Sequence, residues 1–295
     1  MRASFVIVNY NRKQELATTI NKTKEVIKNN LRDYEIVIVD NASTDGSAAM
    51  VKENFPEVVL IENAVNTGAP AWNLGFAKAK GDYFIILDDD SHMESGLDES
   101  LNYLDKNSDV GILALNITGG TYETSEWKHL AETIGFIGCG AILRKSVYDE
   151  IGGYADWMFL YANEWELALR CINAGYKIRY FKNSNVVHRT SKLNRTNKRL
   201  RFFTTKNEMG IVYKHFHKDR WKYLIRVWIN NMKVVKTEGI MAAWYCFKGG
   251  LNFLKTRKEL TVTPVSDEAQ NKFAEKFWGT QPVFDFITKR LKSTS

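Results

Sequence analysis

The sequence predicts an α/β chain, a mainly parallel, doubly wound sheet followed by a helical, basic C-terminal region. Three observations carry this. Short apolar runs alternate with helix-length segments through the first half of the chain, the rhythm of strands joined by crossover helices. Polar or acidic residues close three of those runs, and ligands on open parallel sheets sit outside the carboxyl ends of strands. From about residue 194 the pattern becomes helical and rich in Trp, Phe, Lys and Arg.

Taken in order, "ASFVIVNY" is the first strand, and Asn11 is expected to cap a helix over 12–29. "YEIVIVD" is a second strand ending at Asp40, followed by a polar turn and a helix in "NASTDGSAAMVKENF". "EVVLIEN" is a third strand, "APAWNLGFAKAK" a helix and "DYFIILDDD" a fourth strand. "LDESLNYLDKN" and "DVGILALNI" continue the alternation. "FIGCGAILRKSVYDEIGGY" mixes a short strand with glycine turns, and "NEWELALRCINAG" is an amphipathic helix with Asn163 as its cap and Gly175 as its end. "YKIRYFKNSNVVHRT" reads as two short strands. The expected division is 1–215 for the α/β domain and 216–295 for the helical basic region.

The chain has 295 residues, 44% of them hydrophobic, with only 4 Pro and 19 Gly, so it can bury a real core and is neither fibrous nor disordered. Cys139, Cys171 and Cys246 are odd in number and lack CxxC spacing, which fits buried thiols in a reducing cytosol and excludes a disulfide frame. The first apolar run is too short for a signal peptide, and none approaches a spanning helix. The chain is therefore expected to be soluble or to lie on a membrane surface. Residues 191–260 hold 17 Lys and Arg against 4 Asp and Glu, within a formal charge of +7 for the whole chain. That third invites an anionic partner, whether phospholipid, a phosphorylated acceptor or nucleic acid.

Asp88, Asp89 and Asp90 end a strand buried on both faces. Adjacent carboxylates repel, so fold stability alone does not ask for them. Alternate side chains of an extended segment share a face, which places Asp88 and Asp90 roughly 7 Å apart. Oxygen ligands so spaced suit a hard divalent cation that also takes phosphate oxygens. The chain has neither GxxxxGK[ST] nor a GxGxxG after the first strand, so a cation would have to neutralise a bound phosphate.

"VNYNR", "EIVIVDNASTDGS", "NTGAPAWNLGFAKAKGDYFIILDDD" and "GCGAILRKSVYDEIGGY…FLYANEWELALR…AGYKI…VVHR" stand in the order found in family 2 glycosyltransferases of the GT-A type. Over roughly residues 3–215 the chain resembles these enzymes, most closely the bacterial ones that build rhamnose- or galactose-containing surface polysaccharides. The resemblance implies a GT-A fold and an inverting, metal-dependent transfer of a sugar from a UDP- or dTDP-linked donor. The acceptor it implies is a hydroxyl of a glycan or polyprenyl-diphosphate-linked glycan, at the cytoplasmic face of a membrane. It also implies roles for single positions. Val8, Tyr10 and Asp40 would hold the nucleotide base, Asn73 and Asp89 would lie along the donor nucleotide, and Asp88 would touch the ribose or the metal. Asp90 and His188 would bind the metal, Mn2+ or Mg2+. Glu164 would be the catalytic base, in an Asn-Glu pair where the family usually carries Glu-Asp. The basic segment "HRTSKLNRTNKRLRFFTTKN" would serve as a lid on the diphosphate.

Other readings of the same residues stay open at this point. Tyr10 could be a core aromatic and Asp40 a turn residue, and Glu164 could serve only the helix dipole, with Glu166 in a capping box. A sugar nucleotidyltransferase would want a glycine-rich, basic N-terminal signature that "VIVNYNRKQE" lacks. A non-enzymatic membrane- or nucleic-acid-binding module leaves the three aspartates unexplained. Nucleic acid is therefore not the expected partner.

Overall fold

The computed structural model describes residues 1–277 other than 29, 31, 120–122 and 191–195. The chain divides into two compact units, Met1–Phe159 with Asn163–Asn194, and Leu160–Ala162 with Arg195–Ser295. The helix Asn197–His215, which the sequence reading attaches to the first domain, belongs to the second unit.

The first unit runs β1 (Ala3–Asn9), α1 (Lys13–Val26), β2 (Tyr34–Asn41), α2 (Ser47–Asn54), β3 (Val59–Asn63), α3 (Ala71–Lys78) and β4 (Tyr83–Asp88). It continues with β5 (Ser91–Ser95), α4 (Leu97–Lys106), β6 (Val110–Thr118), β7 (Glu132–Thr133), β8 (Ala141–Arg144), α5 (Lys145–Ile151), α6 (Asn163–Asn173) and β9 (Lys177–His188). These strands form one sheet in the order β3-β2-β1-β4-β8-β6-β9-β5, with β7 on β9. β1 pairs in parallel with β2 and β4, and β2 with β3. β8 is inserted antiparallel between β4 and β6, and β9 runs parallel to β6 and antiparallel to β5.

The parallel half is built as its sequence demands. Every residue of β1 and β2 is buried, which is why residues 5–8 and 36–39 are apolar without interruption instead of alternating. Phe5, Ile7, Ile36, Ile38, Ile85 and Leu87 share one core with Leu16 and Ile20 of α1, and each such side chain stabilises the fold by about 1.5–3 kcal/mol. On the other face α3 comes close because Gly75 has no side chain. A Cβ there would stand 2.4 Å from Val6 Cγ1.

Four local expectations change. Asn11 does not cap α1, whose cap is Arg12. Instead Asn11 adopts a left-handed φ of 54° and its Oδ1 accepts from Thr44 N at 2.7 Å, a cross-loop bond that outcompetes the cap. β5 follows the aspartates at once, because a partner strand distant in sequence pairs with it. The segment after β8 forms the helix α5. "YKIRYFKNSNVVH" is one strand, not two. Its register against β6 jumps from Leu115–Phe181 to Asn116–Asn185, a bulge that the sequence reading took for a break.

The second unit is helical, with α7 (Asn197–His215), α8 (Arg220–Met232), α9 (Val235–Glu238), α10 (Ile240–Thr256) and α11 (Asp267–Phe277). Thr196 caps α7 by accepting from Arg199 N. Phe216 meets Phe273 and Tyr223 edge-on at the centre of this unit. Among the described residues no helix is long and apolar enough to cross a membrane. All three cysteines are buried, and none is in a disulfide. Residues 191–195, in the expected lid, lie outside the described residues.

Candidate active site

The parallel register brings three strand ends together. Asn9 pairs with Asp40 and Val8 with Asp88, so the polar residues at the carboxyl ends of β1, β2 and β4 line one edge of the sheet. Asp40 is buried, and its carboxylate accepts from Asn9 Nδ2 at 2.9 Å and from Ser43 N at 3.0 Å. Ser43 Oγ in turn accepts from Asn11 N at 2.9 Å. Val8 lies against Val39 and Ala71, with Trp72 packed on the group. Tyr10 is half-buried, and its backbone N–H donates to Asp89 Oδ2 at 3.2 Å.

The three aspartates separate in role because the chain turns between β4 and β5. Asp89 and Asp90 are buried, whereas the Asp88 side chain keeps 28% of its exposure. Arg12 donates to Asp89 Oδ1 at 2.8 Å and to Asp90 Oδ2 at 3.2 Å. Burial works to lower the Arg12 pKa, but the carboxylates of Asp89 and Asp90 outweigh it and the net shift is upward. Burial pushes Asp89 up to about 7, against the pull of Arg12. Thr19 on α1 fixes the turn by donating to Asp89 O at 2.7 Å.

His188 arrives from the far side of the sheet. The antiparallel pairing of β5 with β9 sets Ser91 opposite His188. Its Nε2 lies 3.2 Å from Asp90 Oδ1 and 4.0 Å from Asp88 Oδ2. Cys139 completes the group, since one ligand atom each from Asp88, Cys139 and His188 lie within 4.8 Å of one another. Carboxylate oxygens and an imidazole nitrogen converging at such distances fit a divalent cation. Sequence reasoning treated Cys139 as an ordinary buried thiol and gave Arg12 no role. Only the fold, which sets "GCG" and "NR" beside the aspartates, distinguishes them.

Glu164 occupies the first turn of α6, where the helix N-terminus favours an acid. The two residues before α6, Tyr161 and Ala162, hold left-handed φ values of 66° and 59°, a conformation that costs non-glycine residues energy and tends to mark functional sites. The Glu164 side chain lies against Gly138, whose absent Cβ would stand 2.6 Å from Glu164 Oε1. Gly138 adjoins Cys139 in sequence, so one short segment touches the Glu164 carboxylate and, at its next residue, supplies the thiol beside Asp88 and His188. Burial raises the Glu164 pKa to about 7; backbone N–H groups of Glu164 and Gly138 oppose the shift and Asp88 adds to it. Glu166 is committed elsewhere, holding Arg170 at 2.8 Å while Arg170 reaches Gly153 O.

Asn73 does not point freely into this crevice. Its Nδ2 donates to Tyr154 O at 2.7 Å and its Oδ1 accepts from Tyr154 N at 2.8 Å. The amide pins the segment after α5 to α3, which requires the bare backbone of Gly153 beside it, where a Cβ would stand 2.1 Å from Asn73 Oδ1.

Known proteins similar to this chain include glycosyltransferases. The abequosyltransferase RfbV of Salmonella typhimurium is 38% identical over 127 residues, which cover 40% of this chain and 37% of that protein. The O-antigen chain rhamnosyltransferase WbaN of Salmonella anatum is 26% identical over 177 residues, 52% of this chain and 56% of that protein. Both matches thus leave much of the relative's length unspanned. The solved structure of the mannosyltransferase PcManGT from Pyrobaculum calidifontis, in complex with GDP-Man and Mn2+, superposes with a TM-score of 0.58 at 18% identity. That match covers 95% of this chain and 88% of the other, and it shows the shared GT-A fold. The model for the glycosyl transferase family 2 matches residues 4–169, which is more than half of the sequence, and the chain belongs to that family.

Proposed function

We propose that the protein is an inverting, metal-dependent glycosyltransferase. It moves a sugar from a UDP- or dTDP-linked donor to a hydroxyl of a glycan or lipid-linked glycan, in bacterial-type polysaccharide synthesis at the cytoplasmic face of a membrane. The observation that carries this reading is a buried carboxylate–imidazole group beside Cys139, with a second carboxylate, Glu164, against the adjoining Gly138. The similarity to RfbV and WbaN supports the polysaccharide context.

Val8 and Tyr10 flank the nucleotide base, and Asp40, already oriented by Asn9 and Ser43, accepts from a pyrimidine imide. Asp88, Asp90 and His188 would hold a divalent cation, with Cys139 as neighbour. A cation bound there would supply charge neutralisation for the diphosphate leaving group. Glu164 takes the proton of the acceptor hydroxyl as its oxygen bonds to the anomeric carbon, the bond to the diphosphate breaks on the opposite face, and the configuration inverts. Asn73 contributes by holding the Tyr154 segment in place.

The test is a panel of UDP-, dTDP- and GDP-sugars with and without Mn2+, read by thermal shift and by release of nucleoside diphosphate. A ligand at 100 times its Kd stabilises by about 2.7 kcal/mol, so a true donor raises the melting temperature clearly. The reading fails if no nucleotide sugar shifts the melt and none is turned over.

Gly138 gives a finer check on the base. Gly138→Ala places a methyl group against the Glu164 carboxyl, and the flexible end of Glu164 gives way more readily than the backbone. Transfer should fall by roughly 10- to 100-fold, the scale of a displacement near 1 Å. Nucleotide affinity and melting temperature should stay near wild type, as titration calorimetry and a melt would register.

A further inference from the structure

We infer that the exposed face of α8 and α10 is a docking surface for a bilayer that carries anionic lipid. On α8, Trp221, Ile225 and Ile229 are 56%, 54% and 45% exposed. Their i, i+4, i+8 spacing makes one stripe, opposite the buried Leu224 and Val227. On α10, Ile240 and Trp244 are 77% and 43% exposed and continue to the exposed Leu251, while Ala243, Cys246 and Phe253 are buried.

The two stripes form one surface. Met232 near the end of α8 joins Ile240 and Trp244 around a cavity of about 270 Å3. One turn earlier Trp228 stacks on Phe247 at 5.7 Å and abuts Gly250, where a Cβ would stand 2.4 Å from the indole. The helices are therefore antiparallel, and the right-handed twist of each turns its exposed stripe to the same side of that aromatic seam. A contiguous apolar face of this kind marks an interaction site, unlike scattered exposed side chains.

Charge selects the occupant. Residues 216–260 hold 10 Lys and Arg against 3 Asp and Glu. The exposed Lys222 and Lys233 flank the α8 stripe, and Lys248 and Lys255 flank that of α10. Lys248 lies over the Trp244 ring at 5.0 Å from its centroid, its stem on the apolar face and its charge at the rim. A second copy would press like charges together, which disfavours self-association. Trp, Ile and Met ringed by lysines match a headgroup layer, where the rings sit at the interface and the ammonium groups meet anionic lipid. The face is independent of the site chemistry and extends the proposed function by giving the enzyme access to membrane-borne acceptors.

The experiment is sedimentation of the full chain with vesicles of phosphatidylcholine alone, or of phosphatidylcholine and phosphatidylglycerol in equal parts. The protein should sediment with the anionic vesicles at low salt, be released at high salt and stay in solution with the neutral ones. Lys248→Gln and Lys255→Gln should each weaken partition by roughly fivefold, the worth of one basic residue near such a surface. Ile240→Ser with Trp244→Ser should weaken it by at least about tenfold. All four side chains are exposed, and unchanged melts and nucleotide binding would certify the fold. The inference is overturned if wild type stays in the supernatant with anionic vesicles at low salt, or if the Ser pair sediments like wild type. It is equally overturned if analytical ultracentrifugation finds a dimer that the Ser pair abolishes, which would make the face a self-interface. Vesicle binding without any nucleotide binding would leave this inference standing and defeat the enzymatic reading alone.

Discussion

Asp90→Ala is expected to abolish transfer and to remove the Mn2+-dependent part of nucleoside-diphosphate binding. Asp90 is fully buried, its two oxygens turned towards Arg12 and His188 at 3.2 Å each. Losing even an outer-shell partner of a metal ligand typically costs 10–100-fold, so loss of a carboxylate that itself ligates should exceed roughly 100-fold in activity. Removing one member of a buried ion pair also destabilises a fold by about 3–5 kcal/mol. Here Arg12 keeps Asp89 at 2.8 Å, which reduces that cost. Asp90→Asn, of the same shape, provides the companion that separates lost ligation from lost folding. Titration of UDP and dTDP with and without Mn2+ decides the matter. A folded variant whose Mn2+-dependent binding is undiminished would remove Asp90 from the metal site.

Glu164→Gln should leave donor affinity intact and reduce turnover by roughly 100-fold or more, the usual scale for a general base. The pH behaviour adds a signature that a merely structural glutamate would lack. Burial raises this carboxyl from 4.5 to about 7, and only the ionised form accepts a proton. Wild-type turnover should therefore climb with pH to near 7 and level off, and the Gln variant should lose that limb. Stability should move the opposite way. Between the unfolded value of 4.5 and the folded value of about 7 the native state binds the proton more tightly, so this group's contribution to stability is complete below the window and is lost as pH rises through it. Glutamine carries no such loss, and the variant should melt higher than wild type above pH 7 and converge with it towards pH 5. Turnover within a few-fold of wild type would reduce Glu164 to a helix-dipole residue.

Much of the first unit was legible because its signals are local. The apolar runs of β1, β2 and β4 and the polar residue closing each can be read without knowing what packs on them, and so can the C-terminal helices. What escaped depends on partners distant in sequence. β5 is five residues, Ser91–Ser95, that become a strand only because Asn185–His188 lie beside them. Asn11 carries a good capping residue type, yet Thr44 takes its side chain. Arg12 and Cys139 look ordinary in sequence and gain meaning from the aspartates, 77 and 51 residues away from Asp89 and Asp88 respectively. The role of Asn73 was the least legible, since an amide that grips backbone leaves the same trace in sequence as one that grips a ligand.

The burial of β9 carries a consequence for how the site keeps its aim. Ser184, Val186 and His188 are buried, whereas Asn185 and Val187 between them are half-exposed. The imidazole thus shares a face with core residues. Slipping the strand by one position would turn His188 away from the aspartates, but the same slip would bring the buried Ile178 and Tyr180 out and drive the Arg179 guanidinium in. Exposing the isoleucine alone forfeits about 1.5–3 kcal/mol, and burying the guanidinium adds a desolvation penalty. The hydrophobic pattern therefore proofreads the histidine: a chain that has paired β9 wrongly is rejected by its own core, whether or not any ligand is there to report the error.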